Sequence, residues 1–265
     1  MNLKNKTIVI TGASGGIGQA LARSLYAKNA KLVLVGRNIE KLEQLNNELG
    51  GQNHVIRADL AVQNDRKNLL VACEKMAGVD ILINNAGISH FALFDEMTEQ
   101  QIEQTITTNL VSPMLLTQDF MPLLKRASNS IVFNVGSTFG GIGYPGFTAY
   151  CASKFGMKGF SEALKRELKD TSVEVLYIAP RATQTEINSQ VVDHMNNALG
   201  NTTDAPQLVA NAIVKQLEGE VPRVAIGWPE KLFLKVNGLF PLLVDNALSK
   251  QLVQIKSFAS KANKA

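Results

Sequence analysis

Two side chains one helical turn apart carry the strongest chemical signal in the sequence. Tyr150 and Lys154 are four residues apart in a segment with helical periodicity, so both side chains leave the same face of the helix. A free phenol has a pKa of about 10 and is a weak base near neutral pH, but a nearby ammonium stabilises the phenolate and lowers that pKa. The spacing therefore predicts a tyrosine that exchanges a proton with a reacting oxygen.

A serine completes this candidate catalytic set. Ser137 follows a predicted strand, 13 residues before Tyr150, and can hold the same oxygen by a hydrogen bond, a contribution on the order of 10²- to 10³-fold in rate. The three residue types suit hydride transfer to a carbonyl carbon, in which Tyr150 gives its proton to the developing alkoxide or takes it back in the reverse reaction. On an isolated helix a Tyr-x-x-x-Lys pair is commonly surface decoration, so this interpretation depends on the elements that position it.

A glycine-rich turn after the first predicted strand indicates a phosphate-binding loop. The run Thr11-Gly12-Ala13-Ser14-Gly15-Gly16-Ile17-Gly18 leads directly into a helix. Glycines let backbone N–H groups and the positive helix end approach a pyrophosphate, although the spacing is longer than the G-x-G-x-x-G fingerprint. The alternative is a tight βα connection without a ligand. The predicted nucleotide-binding residues of the turn are Gly12, Ser14, Gly15, Gly16, Ile17 and Gly18.

The end of the second predicted strand indicates which nucleotide the turn binds. An acidic residue there would accept hydrogen bonds from the ribose hydroxyls of NAD, but the sequence has Arg37. A guanidinium suits bidentate contact with a 2′-phosphate, so we expect NADP(H) in preference to NAD(H). The alternative is that Arg37 only solvates the end of the strand.

The order of predicted elements is that of a parallel sheet covered by helices. Short runs rich in Val, Ile and Leu alternate with helical patterns and no linker divides them, which predicts a single-domain α/β Rossmann fold with a doubly wound seven-stranded parallel sheet and helices on both faces. The predicted strands are 6–11, 31–35, 54–57, 80–84, 130–135, 173–178 and 223–226, and the predicted helices 16–29, 38–49, 63–77, 98–125, 148–169 and 205–219. Residues 1–227 form the predicted nucleotide-binding and catalytic domain, and residues 228–265 a helical extension. The polar segment 184–204 is expected to be a substrate lid or an ordinary mobile loop.

Composition argues against several other classes of protein. The basic residues behind the net charge of +4 are spread along the chain, so we expect no nucleic-acid partner. Cys73 and Cys151 lie far apart and show no metal-ligand spacing, so we expect neither a disulfide framework nor a metal site. The first residues run straight into an apolar strand with no signal-peptide pattern, and no apolar stretch reaches the length of a membrane span. We therefore expect a cytoplasmic protein.

Taken together, these landmarks resemble those of the short-chain dehydrogenase/reductase family. The resemblance covers about residues 4–227 and implies a Rossmann fold and an NAD(P)-dependent oxidoreductase acting on alcohols or carbonyls. It rests on seven motifs in order, which are the glycine run 11–18, Asp59-Leu60, Asn84-Asn85-Ala86-Gly87, Asn109, Ser137, Tyr150-x-x-x-Lys154, and Pro180 followed by Thr183.

The resemblance also implies roles that spacing alone does not assign. Residues implied to bind the cofactor, besides the glycine turn, Arg37, Tyr150 and Lys154, are Asp59, Leu60, Asn85, Ala86, Gly87, Pro180 and Thr183. Among these, Asp59 would contact the adenine, and Lys154 would also bind the nicotinamide ribose. Asn109 would be a fourth catalytic residue that holds a water in a proton relay through Lys154, unless it is a structural polar residue in mid-helix.

The sequence departs from the family pattern at two places. Arg181 follows Pro180 where many members have glycine, and we expect its side chain to point to solvent rather than to an acidic substrate or the cofactor phosphates. Beyond residue 227, an apolar stripe with helical spacing is broken at Pro241. We expect this tail to cover the substrate cleft or a subunit interface of a homodimer or homotetramer, in preference to a membrane, because its polar side is not strongly basic.

The leading hypothesis is an NADPH-dependent reductase of a hydrophobic or acyl-type ketone or aldehyde, including a 3-oxoacyl compound. Candidate cleft residues, which are mainly apolar, are Ile88, Phe91, Phe94, Phe139, Ile142 and Tyr144. Three alternatives remain. They are a regulatory protein that binds NADP(H) without turnover, an NAD-dependent alcohol dehydrogenase that works in the oxidative direction, and a structural or membrane-associated partner protein recruited through the C-terminal tail.

Overall fold

The computed structural model describes residues 1–76 and 78–262, which contain a seven-stranded parallel sheet. The strands are β1 (Thr7–Thr11), β2 (Lys31–Gly36), β3 (His54–Arg57), β4 (Ile81–Asn84), β5 (Ser130–Val135), β6 (Val173–Ala179) and β7 (Arg223–Ala225). Their order across the sheet is β3-β2-β1-β4-β5-β6-β7. The direction of winding reverses between β1 and β4, which opens a crevice at the carboxyl ends of these strands. The predicted doubly wound fold is confirmed.

Helices connect the strands and follow the last of them. They are α1 (Gly16–Tyr26), α2 (Ile39–Glu48), α3 (Gln63–Glu74), α4 (Glu99–Ile106), α5 (Ser112–Arg126), α6 (Thr148–Glu167), α7 (Gln190–Ala198), α8 (Pro206–Gly219), α9 (Glu230–Leu239) and α10 (Pro241–Ala262). The last residue of the predicted helix 63–77 lies outside the described residues. The same is true of residues 263–265, the last three of the predicted extension 228–265.

Both faces of the sheet are buried. Along β1, Ile8 and Ile10 point into a core shared with α1 and α8, and Val9 points into a second core shared with α3 and α5. All three side chains are fully buried. A strand covered on both faces has no polar side, which is why these strands read as continuous apolar runs in the sequence.

The single helix predicted over residues 98–125 is wrong in one respect. A π-helical turn at Thr107–Val111 separates α4 from α5. Pro113 has no backbone N–H, so it cannot donate the α-helical hydrogen bond to the carbonyl of Asn109. The chain widens locally around Asn109, as single π-helical turns do in other helices, often at functional positions.

The polar segment 184–204 also differs from the expectation of a loop. It contains α7, whose first turn is capped by the side chain of Ser189, which accepts a hydrogen bond from the N–H of Val192. Val192 and Met195 are buried against Phe147 and Ile255 of α10. The tertiary contact covers the apolar side of this amphipathic helix and stabilises it.

Candidate active site

Three of the four predicted catalytic residues, Ser137, Tyr150 and Lys154, line one cavity of about 360 Å³ beside the carboxyl ends of β1, β4, β5 and β6. The predicted site residues that line it are Ile17, Asn85, Gly87, Ser137, Tyr150, Lys154, Pro180 and Thr183. Ser14 and Gly16 line a crevice next to it together with Thr185 and Glu186. The remaining predicted residues of the nucleotide site follow the carboxyl ends of β1, β2, β3 and β4. Asn109, the fourth predicted catalytic residue, is buried and does not line the cavity.

Tyr150 lies in the first turn of α6, and Tyr150 and Ser137 line the same cavity. Burial raises the pKa of Tyr150 to about 12, whereas the interaction of the hydroxyl with Ser137 acts in the opposite direction. The expectation of a lowered pKa is therefore wrong for the protein alone. The reason is that the phenol is enclosed by Phe139 and Phe147, and an apolar environment penalises the phenolate.

Lys154 is buried one turn further along α6. Its Nζ lies 5.6 Å from the centroid of the Tyr150 ring and donates a hydrogen bond of 3.1 Å to the carbonyl oxygen of Val135. Burial lowers the pKa of Lys154 to about 8. The side chain is only 5% exposed, so the ammonium is held beside the tyrosine at a cost in desolvation.

The lowered pKa of Lys154 predicts a pH-dependent stability. Lys154 binds its proton below pH 10.5 in the unfolded chain but only below about 8 in the folded protein, so the free energy of unfolding should increase with pH between these values. Near neutral pH, Lys154→Met removes a buried charge and is expected to raise the free energy of unfolding, by at most about 3 kcal/mol, and this advantage should fade as the pH approaches 10.

Urea unfolding of both proteins near pH 7 and near pH 10 measures this difference. Lys67→Met, which removes an exposed lysine of α3, is the control for general loss of charge. A difference between Lys154→Met and the parent protein that stays constant over the pH range would contradict the lowered pKa of Lys154.

Asn109 is buried in the π-helical turn, beside Lys154. Its side-chain amide donates to the carbonyl of Ile88 (2.8 Å) and to Ser153 Oγ (3.1 Å), and its Oδ1 accepts from the N–H of Ile88 (2.8 Å). A Cβ added at Gly87 would lie 3.3 Å from Asn109 Oδ1 and 3.8 Å from Lys154 Nζ. Asn109 thus ties the loop after β4 to α6, and its Oδ1 and the amine of Lys154 both lie close to Gly87.

The glycine turn has the shape that a dinucleotide requires. Gly12 adopts a φ of +64°, and a Cβ there would lie 2.8 Å from the Cα of Ala86. A Cβ at Gly18 would collide with the backbone of Gly12 and Ala13. α1 begins at Gly16 with no side-chain cap and no acidic residue in its first turn, so its first N–H groups are available to a pyrophosphate. The residues present therefore fit a nicotinamide dinucleotide.

The residues predicted to bind the adenosine end follow the next strands along the edge. Arg37 comes directly after β2 and is exposed. Asp59 follows β3, where its carboxylate accepts a hydrogen bond of 3.0 Å from the N–H of Ala61, and Leu60 is half-buried beside it. None of these three side chains lines the main cavity.

An aromatic cluster forms one wall of the cavity. Phe139 and Tyr144 stack with ring centroids 4.9 Å apart, and Phe147, which we did not predict, lies 6.3 Å from the Tyr150 ring. Of the predicted cleft residues, Phe139, Ile142 and Tyr144 line the cavity. Three others do not. Phe94 is 61% exposed, Phe91 packs against Phe147, and the backbone of Ile88 holds Asn109.

The expectation that Arg181 points to solvent is wrong. Its guanidinium forms ion pairs with Asp204 at 2.7 Å and with Glu230 at 3.2 Å, and its side chain is 13% exposed. It also donates a hydrogen bond of 3.3 Å to the carbonyl of Trp228. Arg181 therefore joins the loop after β6 to the start of α9. Sequence analysis missed Asp204 and Glu230 because neither lies near Arg181 in the chain.

Loss of Arg181 is expected to destabilise the protein. Asp204 is 4% exposed, so Arg181→Gln leaves a buried carboxylate without its cation and should lower the free energy of unfolding by about 3 kcal/mol. Arg166→Gln is the matched control, because Arg166 is 72% exposed and pairs with Glu162 at 3.7 Å within one helix, and its loss should cost less than about 0.5 kcal/mol. Equal losses in the free energy of unfolding for the two substitutions, measured with urea, would show that the ion pairs of Arg181 stabilise the protein no more than an exposed pair does.

The C-terminal helices cover the cavity. Side chains from them line its outer part, namely Phe233, Val244, Ala247, Leu248 and Gln251. Ile255 of α10 is fully buried against α7 and the aromatic cluster. The inner face of the C-terminal helices thus covers the protein's own cavity, which is one of the two arrangements expected for the tail.

Comparison with known proteins identifies the family. Residues 6–196, which include Ser137, Tyr150 and Lys154, match the family described as short chain dehydrogenase. The chain belongs to the short-chain dehydrogenase/reductase family. As a member of it, the protein is an oxidoreductase that acts on a CH–OH/C=O pair with NAD(P). The family match ends before α8, so α9 and α10 lie outside it.

Several curated short-chain dehydrogenases/reductases are similar in sequence. Nodulation protein G of Rhizobium meliloti (strain 1021) is 40% identical over 196 residues, which are 74% of this chain and 78% of that protein. The 3-oxoacyl-(acyl-carrier-protein) reductase FabG of Rickettsia bellii (strain RML369-C) is 31% identical over 218 residues, 80% of this chain and 89% of the relative.

Solved structures of the family share the fold. A short-chain dehydrogenase from Streptomyces avermitilis superposes with a TM-score of 0.80 at 24% identity, covering 95% of this chain and 98% of the other. A short-chain dehydrogenase/reductase from Burkholderia phymatum in complex with NAD gives a TM-score of 0.82 at 19% identity, with 92% and 96% coverage. None of the described helices has the length and hydropathy that a membrane span requires.

Proposed function

We propose that the protein is an NADPH-dependent reductase of hydrophobic ketones or aldehydes. The observation that carries the proposal is that Ser137, Tyr150 and Lys154 line one cavity, which extends to Ile17 in the first turn of the helix that follows the glycine turn. Its outer part is lined by apolar side chains of the C-terminal helices. We treat residues 1–227 as the catalytic domain and residues 228–265 as an extension that completes the substrate site.

In this proposal Tyr150 is the general acid. Its pKa of about 12 keeps the phenol protonated at neutral pH, which is the state needed to give a proton to the oxygen of a carbonyl that is being reduced. The hydroxyl of Ser137, which is within hydrogen-bond reach of Tyr150, holds the same oxygen. A nicotinamide held in this cleft would supply the hydride to the carbonyl carbon. Lys154, charged below a pKa of about 8, stabilises the phenolate that remains after the proton has left Tyr150.

Proton resupply and cofactor contacts follow from neighbouring residues. Asn109 holds the loop that contains Gly87 close to Lys154. In this proposal Asn109 binds a water that passes a proton to the amine of Lys154. The pyrophosphate would bind the glycine turn, Asp59 and Leu60 would lie at the adenine, and Asn85, Ala86, Gly87, Pro180 and Thr183 would line the nicotinamide half of the cleft. Arg37 would meet the 2′-phosphate of NADP(H), because it is exposed after β2.

The cofactor preference is testable at Arg37. Arg37→Asp replaces a cation with an anion that repels a 2′-phosphate and accepts hydrogen bonds from the ribose of NAD(H). The ratio of kcat/KM for NADPH over NADH is expected to fall by about 100-fold. Arg126→Asp, which makes the same charge change at the exposed end of α5, should leave the ratio unchanged. A parent protein that prefers NADH would overturn this part of the proposal.

The substrate class is argued from the cavity and the relatives. The aromatic wall and the apolar roof favour a carbonyl compound with a hydrocarbon chain or ring, and one similar protein is named a 3-oxoacyl-(acyl-carrier-protein) reductase. Assay of NADPH oxidation with a panel of short, long-chain and aromatic ketones and 3-oxoacyl thioesters tests this. We expect kcat/KM to rise with apolar chain length, and a preference for small polar carbonyls would contradict the proposed substrate class.

We further propose that the protein is cytoplasmic and that it forms a homodimer or homotetramer.

A further inference from the structure

The outer surface of the C-terminal helices carries large exposed apolar side chains. At the junction of α9 and α10, Leu239, Phe240, Leu242 and Leu243 are between 60% and 74% exposed. We call these four residues the apolar elbow. Trp228, just before α9, is 71% exposed as well. A group of apolar side chains of this size on a protein surface marks a place where something else binds.

The whole net positive charge of the protein lies in the same segment. Residues 228–265 contain six lysines against Glu230 and Asp245, which gives a net charge of +4, equal to that of the entire chain. Residues 1–227 are therefore neutral overall. Glu230 is also paired with Arg181, which leaves Asp245 as the remaining acid. The tail is thus more basic than we expected from the spread of lysines along the chain.

Five of the six lysines are exposed on the helices that form the elbow, and Lys264 lies outside the described residues. Lys231 and Lys235 are exposed on α9, one turn apart. The exposed lysines of α10 are Lys250, Lys256 and Lys261. Exposed lysines on the same helices as an exposed group of Leu and Phe, with an exposed Trp at the start of the segment, are features of segments that bind at the interface of a bilayer.

We propose that this surface docks on an anionic lipid bilayer. The apolar elbow enters the headgroup region, and the lysines contact lipid phosphates. A second copy of the chain is a poorer partner, because a twofold contact through this surface would bring two segments of charge +4 together. The described helices lack a membrane span, so the contact is peripheral.

Docking would also serve the cavity beneath. Phe233, Val244 and Leu248 line the cavity from the inner faces of the same two helices. A bilayer against the outer faces would bring the roof of the cavity to the phase in which a hydrophobic carbonyl compound dissolves. This last step rests on the proposed function, whereas the docking itself does not.

Vesicle sedimentation of the full chain tests the proposal. With vesicles of phosphatidylcholine containing about a third phosphatidylglycerol, we expect binding at least about tenfold tighter than with phosphatidylcholine alone, and weaker binding as salt is added. A triple variant, Leu239→Glu, Phe240→Glu and Leu242→Glu, should lose about tenfold or more in affinity. The matched control adds the same three charges at exposed apolar residues elsewhere, through Val62→Glu, Val71→Glu and Leu208→Glu, and should lose less.

Three results would overturn the proposal. The first is that the parent protein does not bind anionic vesicles, and the second is that the elbow and control variants lose equal affinity. The third is a dimer, seen by sedimentation velocity, that only the elbow variant disrupts, because this would show that a second copy covers the elbow. Turnover of a water-soluble carbonyl by the elbow variant confirms that it is folded. If neither the parent protein nor the variants turn over any carbonyl, circular dichroism shows instead whether the elbow variant is folded. The vesicle result can then still be interpreted.

Discussion

Tyr150→Phe is expected to lower kcat for carbonyl reduction by about 10³-fold while cofactor affinity changes little. The substitution removes the hydroxyl group that supplies the proton to the reacting oxygen, and the contribution of a well-placed general acid is on the order of 10²- to 10⁴-fold. The partly buried ring keeps its contacts with Phe139 and Phe147, and loss of the interaction between the hydroxyl and Ser137 should cost no more than about 1 kcal/mol of stability.

NADPH oxidation and fluorescence titration of the nucleotide measure the two quantities separately. Tyr144→Phe removes a hydroxyl from the same cavity wall and is the matched control, for which we expect less than about a tenfold change in kcat. A Tyr150→Phe protein with unchanged turnover would remove this residue from the chemistry. A large loss of nucleotide affinity would instead show that the ring positions the cofactor.

Gly18→Ala is expected to unfold or strongly destabilise the nucleotide site. The added Cβ would collide with the carbonyl oxygen of Gly12 and the Cα of Ala13, both backbone atoms that cannot rotate away. We expect a loss of about 2–4 kcal/mol in the free energy of unfolding and a rise in the KM for cofactor of at least about tenfold, because the turn must open to admit the methyl group.

The chain provides a matched control for this substitution. Gly159 also lies within a helix, but a Cβ there meets no heavy atom within 4 Å. Gly159→Ala should therefore stabilise the protein by about 0.5–1 kcal/mol, as expected for alanine in place of glycine in an open helical position. Opposite signs in thermal unfolding would support the close approach at Gly18, whereas two stabilised variants would show that the turn tolerates a side chain.

The sheet and the catalytic set were predictable because their signals are local. A strand buried on both faces must be apolar along its length, and Tyr150 and Lys154 share a helix face whatever surrounds them. The glycine turn is similarly local, since Gly18 must approach Gly12 six residues earlier. These features follow from spacing and from the backbone alone.

The features that sequence analysis missed depend on contacts between distant segments. Arg181 meets Asp204 and Glu230, 23 and 49 residues away, and nothing local marks either acid. The direction of the pKa shift at Tyr150 depends on enclosure by Phe139 and Phe147, which pairwise spacing with Lys154 does not reveal. The buried side of α7 is covered because Val192 and Met195 pack in one cluster with Ile255 of the last helix.

The break at Asn109 is an intermediate case. Pro113 lies within the predicted helix, and its missing N–H leaves the carbonyl of Asn109, in the π-helical turn, without an α-helical donor. A proline near the middle of a long predicted helix was therefore a usable signal. Its consequence, which is the placement of Asn109 between Ile88 and Ser153, required the fold.

Transfer of deuterium from C4-deuterated NADPH to a hydrophobic ketone tests the account most directly. If Tyr150 and Lys154 present a carbonyl to a nicotinamide in this cleft, the alcohol product should carry one deuterium at the carbinol carbon, seen by mass spectrometry. Bound nucleotide with no labelled alcohol from any carbonyl in the panel would contradict the account and leave a nucleotide-binding protein without this chemistry.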